Sequence, residues 1–525
     1  MIQGKHIIGY KRVGSGRVFQ AVNPVTGQSL PGFFAAGSAT EVDEAVALAT
    51  QSFPLMTKIQ GKQRAVFLHA IVKQITLLGD ELLERTAAES GLPATRIQGE
   101  LARTILQIKL FADLIADGSW VEATIDWGEP NRSPMPKPTI CRMLIPLGPV
   151  VIFGAGNFPL AFSVAGGDTI SALAAGNPVI VKAHPGHPGT SELVGEAIFR
   201  AAQLTGMPEG IFSLLFDDGF SVGETLVTHP KIRAVSFTGS LTGGMALYHL
   251  ATQRSEPIPV FAEMGSINPV ILLPGALERR AAELASQCAG SVTLGAGQFC
   301  TCPGLLLTLK SPSLSHFIKC LRNVIESTPC ATMLSSHTFT NYLQESKDML
   351  AQGGVEPLTN PSQADTPGLN QGQPIIAQVS GLDFLLNPKL HQEVFGPFSL
   401  LVYCENQLEL EAIIDQLNGQ LTISVMAEPG EMDDLPGLQE KIIKKAGRLI
   451  FNGLPTGVEV CAAMQHGGPF PATTDSRFTS VGTDAIKRFV RPIAFQNWDD
   501  ALLPDELKAS NPLGIYRLVN QGWIK

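Results

Sequence analysis

The sequence predicts an α/β protein whose strands form parallel sheets buried on both faces. Three observations carry that reading. Between Pro146 and Gly265, short β-rich apolar runs alternate with helical stretches. A second series of the same kind begins after Gly265 and continues to about Cys461. Glycine-containing turns follow several of the strand candidates, at the place where open parallel sheets bind ligands. Parallel strands need helical crossovers, and those helices cover both faces of the sheet.

The elements follow in order. A short β segment with the turn signal Asn23-Pro24-Val25-Thr26-Gly27 comes first. A helix opens at Thr40, whose hydroxyl suits an N-cap, with Asp43 in the first turn. A longer helical run over 63–89 ends at the stop signal Gly91-Leu92-Pro93. Residues 128–137, rich in Pro and polar side chains, form a loop or an edge excursion. Strands are expected at 150–153, 178–182, 212–216, 234–238 and 259–263, with helices near 162–174, 191–204, 221–227 and 243–251. Their carboxyl ends select Asn157, Lys182, Gly239-Ser240 and Glu263 as residues that meet a ligand. The second unit runs through a strand at 268–272, a helix at 277–294, a Gly-flanked loop around Cys300 and a strand at 305–309. The connection 353–373, with several Pro, Gly and Asn residues, is expected on the surface.

Composition bounds the function. A chain of 525 residues exceeds what one hydrophobic core accommodates, so two or more domains are expected. With 44% hydrophobic and 16% charged residues it reads as an ordered globular protein, and no stretch is long and apolar enough to span a bilayer. Met1-Ile2-Gln3-Gly4-Lys5-His6 is not followed by a secretory apolar core, which makes the cytoplasm the expected compartment. The net charge of −9 argues against a nucleic-acid partner, and Lys441-Ile442-Ile443-Lys444-Lys445 reads as a solvated helix face. Eight cysteines are too sparse for a disulfide framework, so a reducing compartment is the better reading. Cys300-Thr301-Cys302 lacks the paired clusters of a structural zinc site, and no metal is expected.

The chemistry centres on Gly297-Gln298-Phe299-Cys300-Thr301-Cys302-Pro303, a loop able to present a thiolate. Only about a few per cent of an ordinary cysteine is ionised at neutral pH, so an activating group is required. Glu263, in Phe261-Ala262-Glu263-Met264-Gly265-Ser266, is the candidate, with a buried acid tied to backbone N–H groups as the alternative. Phe153-Gly154-Ala155-Gly156-Asn157-Phe158-Pro159 permits a tight turn and close backbone approach to a ligand but is an incomplete GxGxxG. In Phe237-Thr238-Gly239-Ser240 a helix N-terminus could receive a pyrophosphate, or the turn is simply structural. Lys182 is either a ligand contact or a solvated strand-end lysine; His466 is either an acid or base working near neutral pH or a loop residue. Cys302, beside Pro303, is a packing neighbour.

Taken in order, Gly154-Ala155-Gly156-Asn157-Phe158-Pro159, Val181-Lys182, Phe237-Thr238-Gly239-Ser240, Glu263-Met264-Gly265, Gly297-Gln298-Phe299-Cys300 and Glu393-Val394-Phe395-Gly396-Pro397 resemble the signature series of the aldehyde dehydrogenase superfamily, over nearly the whole chain. Phe299-Cys300-Thr301-Cys302-Pro303-Gly304 and Gln465-His466-Gly467-Gly468-Pro469-Phe470-Pro471-Ala472-Thr473-Thr474 are similar to the branch containing 2,5-dioxopentanoate (α-ketoglutaric semialdehyde) dehydrogenases and a bacterial long-chain fatty aldehyde dehydrogenase. The resemblance implies two doubly wound parallel-sheet (Rossmann-like) domains: residues 1–127 with 149–264 binding NAD(P), and 265–465 carrying the cysteine. It also implies a small β oligomerisation element from 128–148 and 486–525, and hence a homodimer or homotetramer.

The same resemblance implies roles for residues. Cys300 would attack the aldehyde carbon, Asn157 and the Cys300 backbone N–H would hold the oxyanion, and Glu263 would activate the hydrolytic water. Lys182 and Glu393 would bind the two riboses, Gly239 and Ser240 would face the pyrophosphate, and Phe395 would pack near the nicotinamide. NAD-preferring relatives carry an acid three residues beyond the lysine. Here Pro185 stands there, with His184 nearby, so NADP is admissible and somewhat favoured while dual use stays open. For 2,5-dioxopentanoate, the first substrate expected, a guanidinium would clamp the distal carboxylate, and Arg477 is the sequence candidate, with His466 as a further pocket residue. The alternatives are a medium or long-chain aliphatic aldehyde, an acyl-CoA-forming reaction and a catalytically silent nucleotide-binding relative.

Overall fold

The computed structural model describes residues 2–14, 16–359, 368–433 and 435–525. Among the described residues the strands gather into two seven-stranded sheets, one five-stranded sheet and two small pairs. The first large sheet has the order Val260–Glu263, Ala234–Thr238, Val150–Phe153, Val179–Lys182, Phe212–Leu215, His6–Ile8, Lys11–Val13. Its first five strands are parallel, and the two N-terminal strands add to the edge antiparallel. The helices Gly167–Ala175, Pro188–Leu204, Ser221–Thr228 and Leu241–Thr252 make the crossovers. From Val150–Phe153 the chain first builds outward to Phe212–Leu215, then returns to place Ala234–Thr238 on its other side. The order therefore reverses at Val150–Phe153, and a crevice opens beyond its carboxyl end.

The second sheet has the order Glu356–Pro357, Ile375–Ser380, Phe398–Cys404, Leu305–Leu309, Val270–Leu272, Gln420–Met426, Ala446–Phe451. It is parallel except for its first edge strand. The Cys300 loop enters Leu305–Leu309 from the amino end. The third sheet joins Val490–Gln496, Ile140–Pro146, Thr124–Asp126, Arg517–Val519 and Gly522–Ile524 over a small core that includes Val121, Ile125, Met143 and Leu507.

Several local expectations are corrected. The first helix spans Ala39–Met56 and is capped by Ser38, not Thr40: the Thr40 N–H donates to the Ser38 hydroxyl oxygen, and Glu41 reaches back to the Ser38 N–H at 3.0 Å. Two polar residues later the same capping-box logic applies, and the earlier serine wins because its partner is a glutamate. The run at 63–89 is two helices, Gly61–Leu77 and Gly79–Ser90. The helix expected from 162 begins only at Gly167. A 24-residue helix, Ala94–Asp117, has no counterpart in the sequence reading, since Gly99 and the buried polar residues Glu100, Thr104 and Gln107 interrupt its apolar face. Glu100 is put to use. Glu100 Oε1 accepts the N–H groups of Leu160 (2.8 Å) and Ala161 (2.9 Å), and so pins the turn that follows Asn157. Within the expected surface connection 353–373, residues 360–367 lie outside the described residues, while its flanks contribute the strands Glu356–Pro357 and Gln371–Gly372.

If Ser38 is the cap, Ser38→Ala lowers the unfolding free energy by about 1 kcal/mol, whereas Thr40→Ala changes it by less than about 0.5 kcal/mol. Urea titration of both variants checks this.

Candidate active site

A cavity of about 370 Å³ lies where the carboxyl ends of the first sheet meet the amino ends of the second. The first contributes Asn157, His184, Gly239, Ser240 and Glu263; the second contributes Cys300, Glu393 and Phe395. The rule of carboxyl ends finds the first group and is silent on the second, which explains why the cysteine had to be found from its own loop.

Glu263 closes the strand Val260–Glu263, and the segment 466–480 is laced to that strand. Met264 N–H donates to the Ala472 carbonyl (2.8 Å), Thr474 N–H to the Ala262 carbonyl (3.1 Å), and Ala262 N–H to the Thr474 hydroxyl (3.0 Å). This lacing delivers two side chains to the acid. The Ser480 hydroxyl donates to Glu263 Oε2 at 2.6 Å, and His466 Nε2 stands 3.1 Å from Glu263 Oε1. His466 is buried and held by its own backbone, whose N–H meets Thr479 Oγ1 and whose carbonyl accepts from Ser480. Its Nε2 is 3.5 Å from Cys300 Sγ. The three reactive atoms of Glu263, Cys300 and His466 lie within 4.8 Å of one another, a spacing that would also suit chelation of a soft cation.

The nucleophile loop owes its shape to three successive left-handed residues, Gly295, Ala296 and Gly297, with φ of 58°, 57° and 66°. Gly297 presses on the backbone of Gly396: a Cβ there would stand 2.2 Å from the Gly396 carbonyl oxygen. Cys302 is buried beneath, its Sγ 3.7 Å from the Val292 carbonyl and 3.9 Å from that of Gly396, whereas Cys300 keeps part of its surface open. Burial pushes both thiols up, Cys300 well above its ordinary value with the Glu263 carboxylate as the next cause. Glu263 moves the other way. Burial alone would raise it, but His466, Ser480 and Cys300 together hold the carboxyl below its ordinary value.

Of the nucleotide-side residues, Asn157, His184, Gly239, Ser240, Glu393 and Phe395 line the same cavity, whereas Lys182 and Pro185 are not among its lining residues. Asn157 Nδ2 donates to the Gln298 carbonyl at 3.2 Å, tying the first turn to the cysteine loop. Lys182 is buried at the end of Val179–Lys182, which lowers it to about 8 against the pull of Asp217 and Asp218; it is not a solvated lysine. Burial and then the Glu345 carboxylate push Glu393 up to about 8. Gly265 lets this acid approach, since a Cβ there would meet Glu393 Oε2 at 2.3 Å. Ser240 caps the helix Leu241–Thr252 through Gly243 N–H (3.1 Å), leaving Gly239-Ser240 at the rim. His184 accepts from the Gly186 N–H and stacks on His187 at 5.3 Å, with Pro185 in the turn between. A glycine-lined crevice with a recessed acid on its wall fits an extended dinucleotide.

Arg477 is not brought to this cavity. Its side chain is 79% exposed and is spent on Asp475, with Nε 2.9 Å from Oδ1, so the sequence candidate for a carboxylate clamp is set aside. Sequence reasoning missed Ser480, Asn268 and Arg103. Ser480 and Asn268 carry no local signal because their partners are over a hundred or several tens of residues away, and Arg103 lies on the helix that was not foreseen.

Comparison with known proteins identifies the family. Residues 11–468 match the aldehyde dehydrogenase family. The chain is 45% identical over 519 residues to α-ketoglutaric semialdehyde dehydrogenase 2 of Azospirillum brasilense, and 44% identical over 519 residues to α-ketoglutaric semialdehyde dehydrogenase of Acinetobacter baylyi, in each case covering 98% of both chains. Its fold is that of a 1-pyrroline-5-carboxylate dehydrogenase from Thermus with bound NAD, at a TM-score of 0.80 and 20% identity, over 94% of this chain and 93% of that one. Family match, near full-length relatives and shared fold lead to one conclusion: the chain belongs to the aldehyde dehydrogenase family.

Proposed function

We propose that Cys300, Glu263 and Asn157 carry the oxidation of an aldehyde to its carboxylic acid, with 2,5-dioxopentanoate as substrate and 2-oxoglutarate as product. The approach of Cys300, His466 and Glu263 within 4.8 Å at the floor of a dinucleotide-shaped cavity supports this reading most directly. The Cys300 thiolate adds to the aldehyde carbon, giving a tetrahedral thiohemiacetal oxyanion, and the Asn157 amide with the Cys300 N–H holds that oxygen; one such donor contributes about 3 kcal/mol. The nicotinamide, when bound, supplies the two-electron acceptor that turns this adduct into a thioester. Glu263 then removes a proton from water, the hydroxyl adds to the thioester carbon, and the acid leaves as Cys300 regains its proton. His466, between Sγ and the carboxylate, relays the proton of the thiol to Glu263, which gives it up to solvent before taking the proton of the hydrolytic water and returning that one to Cys300.

Lys182 and Glu393 bind the two riboses, Gly239 and Ser240 the pyrophosphate, and Phe395 packs on the nicotinamide. Pro185 and His184 leave no carboxylate against a 2′-phosphate, while Asp217 and Asp218 bring negative charge to Lys182 from the neighbouring loop, so both NAD and NADP are admitted. The first sheet with its helices forms the nucleotide-binding domain, the second the catalytic domain, and the five-stranded sheet, whose edge exposes Trp523 and Ile524, joins subunits into a homodimer or homotetramer. No helix of the described residues is long and apolar enough to cross a membrane, and the cytoplasm is the proposed site of action. A second reading, an aliphatic aldehyde, is favoured by the apolar wall of Phe158, Phe162, Phe299 and Val460.

Three outcomes test the proposal. Wild-type enzyme produces NAD(P)H from 2,5-dioxopentanoate without coenzyme A, and Cys300→Ala abolishes this while nucleotide binding persists; turnover by the variant would overturn the mechanism. Glu263→Gln gives a burst of NAD(P)H followed by turnover reduced by about 10²–10⁴-fold, because acyl-enzyme accumulates. Alkylation of Cys300 by iodoacetamide, followed against pH without nucleotide, has a midpoint above the about 8.5 of a free cysteine. A raised thiol pKa delays thiolate to higher pH, so removing the Glu263 charge lowers the midpoint, and His466→Ala slows alkylation at pH 7.

A further inference from the structure

One guanidinium beside the nucleophile has no role in the scheme above. Arg103, on the helix Ala94–Asp117, places its Cζ 5.1 Å from the centre of the Phe162 ring, and that ring is 6.3 Å from the ring of His466. The cation thus sits beside the reacting cluster, with the Phe162 ring between it and His466. Burial lowers its pKa, and among its charged neighbours Cys300 acts on it most, ahead of Glu100, Arg96 and Glu263.

Its donors are idle. Nε and Nη2 are buried without a hydrogen-bond partner among the described residues, and no carboxylate pairs with it. Burying an arginine's donors without partners is costly, and the neighbouring guanidiniums offset it with a carboxylate although each also leaves Nε unpaired: Arg96 pairs with Glu100 at 2.8 Å and Arg85 with Glu89 at 2.7 Å. Arg448, the other guanidinium that feels the Cys300 charge, spends Nη2 on the Pro455 carbonyl (2.8 Å) and Nη1 on that of Gly457 (3.3 Å). One turn beyond Arg103, on the same helix face, Gln107 Nε2 is also buried and unpaired. Two idle donors on one face, next to a nucleophile, describe a place kept for an anion that arrives with the substrate.

We propose that Arg103 binds the carboxylate at the far end of the aldehyde, which makes the site selective for semialdehydes of short dicarboxylic acids; this rests on the reading that Cys300 oxidises an aldehyde here. The fork of N–H groups matches a carboxylate in a planar, two-point fashion, and the Phe162 face fixes the plane of the fork. Selectivity follows because a neutral aldehyde of equal length leaves the buried guanidinium unpaired, a penalty that pockets built around polar substrate groups convert into large discrimination.

The test uses full-length wild type, Arg103→Met and Arg103→Lys, each shown to bind nucleotide. The ratio of kcat/KM for 2,5-dioxopentanoate to that for pentanal should fall about 100-fold in Arg103→Met and less in Arg103→Lys, which keeps the charge but not the fork. Independently, glutarate should protect Cys300 of the wild type from iodoacetamide, and at least about tenfold more glutarate should be needed in Arg103→Met. An unchanged ratio with unchanged protection overturns the proposal. So does an equal loss on both aldehydes with a raised alkylation midpoint, the mark of a residue that acts only on the thiol. If wild type leaves 2,5-dioxopentanoate untouched while glutarate protection still depends on Arg103, the carboxylate site stands and the substrate assignment fails. Should Arg103→Met not fold, Arg103→Lys carries both readouts.

Discussion

The Asn268 side chain is the joint on which the nucleophile hangs. Its backbone is left-handed, φ 44°, and its Nδ2 lies 2.8 Å from the Cys300 carbonyl, 3.0 Å from that of Cys302 and 3.1 Å from that of Ser266. Its Oδ1 accepts from the Thr422 hydroxyl, and Gln420 Oε1 takes the N–H groups of Ile267 (2.9 Å) and Asn268 (3.2 Å). These residues sit at the amino ends of three neighbouring strands of the second sheet, so the loop cannot shift without breaking a satisfied buried network. Such networks are costly to leave half-made, and that cost is what makes the position of Cys300 definite. A strained left-handed Ala296 upstream is tolerated for the same reason.

The first sheet supplies the complementary half by different means. Glu100 fixes the turn after Asn157, and the lacing of 466–480 onto Val260–Glu263 carries His466 and Ser480 to the acid. A buried carboxylate would ordinarily take up a proton; three donors around Glu263 keep it ionised and leave the proton on Cys300. The resting site is therefore a thiol beside a base rather than a preformed thiolate. On the proposed mechanism the negative charge on sulfur then develops as substrate arrives, with His466 placed between the thiol and the carboxylate.

How much of this was legible from sequence follows the range of the interactions. Strands 150–153 and 234–238, the glycine turns after them, and the glutamate ending 260–263 announce themselves through local periodicity, and the structure has them there. The Cys300 loop was legible from its flanking glycines. The helix Ala94–Asp117 was hidden because Glu100 and Gln107 lie buried where an apolar residue was expected, and burial of a polar group is decided by partners sixty residues off. Arg477 is offered by the sequence as a guanidinium able to clamp a carboxylate, yet Asp475 two residues away captures it. The cap is a serine two residues before the threonine the sequence suggests, and Glu41, three residues after Ser38, is the local signal that marks it. Local chemistry thus marks the candidate reacting groups, while the groups proposed to select the substrate lie on a helix whose face only tertiary packing defines.

That division bears on the choice between an apolar and a carboxylated aldehyde. Phe158, Phe162 and Phe299 would by themselves make a tunnel for an alkyl chain. Each ring, however, carries a guanidinium: Arg96 stands 4.5 Å from the Phe158 centre and 5.0 Å from that of Phe299, and Arg103 is 5.1 Å from Phe162. An aromatic face beneath a cation contributes about 0.5–2 kcal/mol to holding it. Filling the space with a long alkyl chain would strip water from Arg103 and give nothing in return, whereas a carboxylate would meet both the charge and the idle N–H groups. Arg96 is already neutralised by Glu100, so the wall carries a net demand for one negative charge and no more. On the proposed reading the aromatic rings act as a frame that fixes the guanidinium plane, and the apolar character of the cluster serves the recognition of an acid rather than of a hydrocarbon.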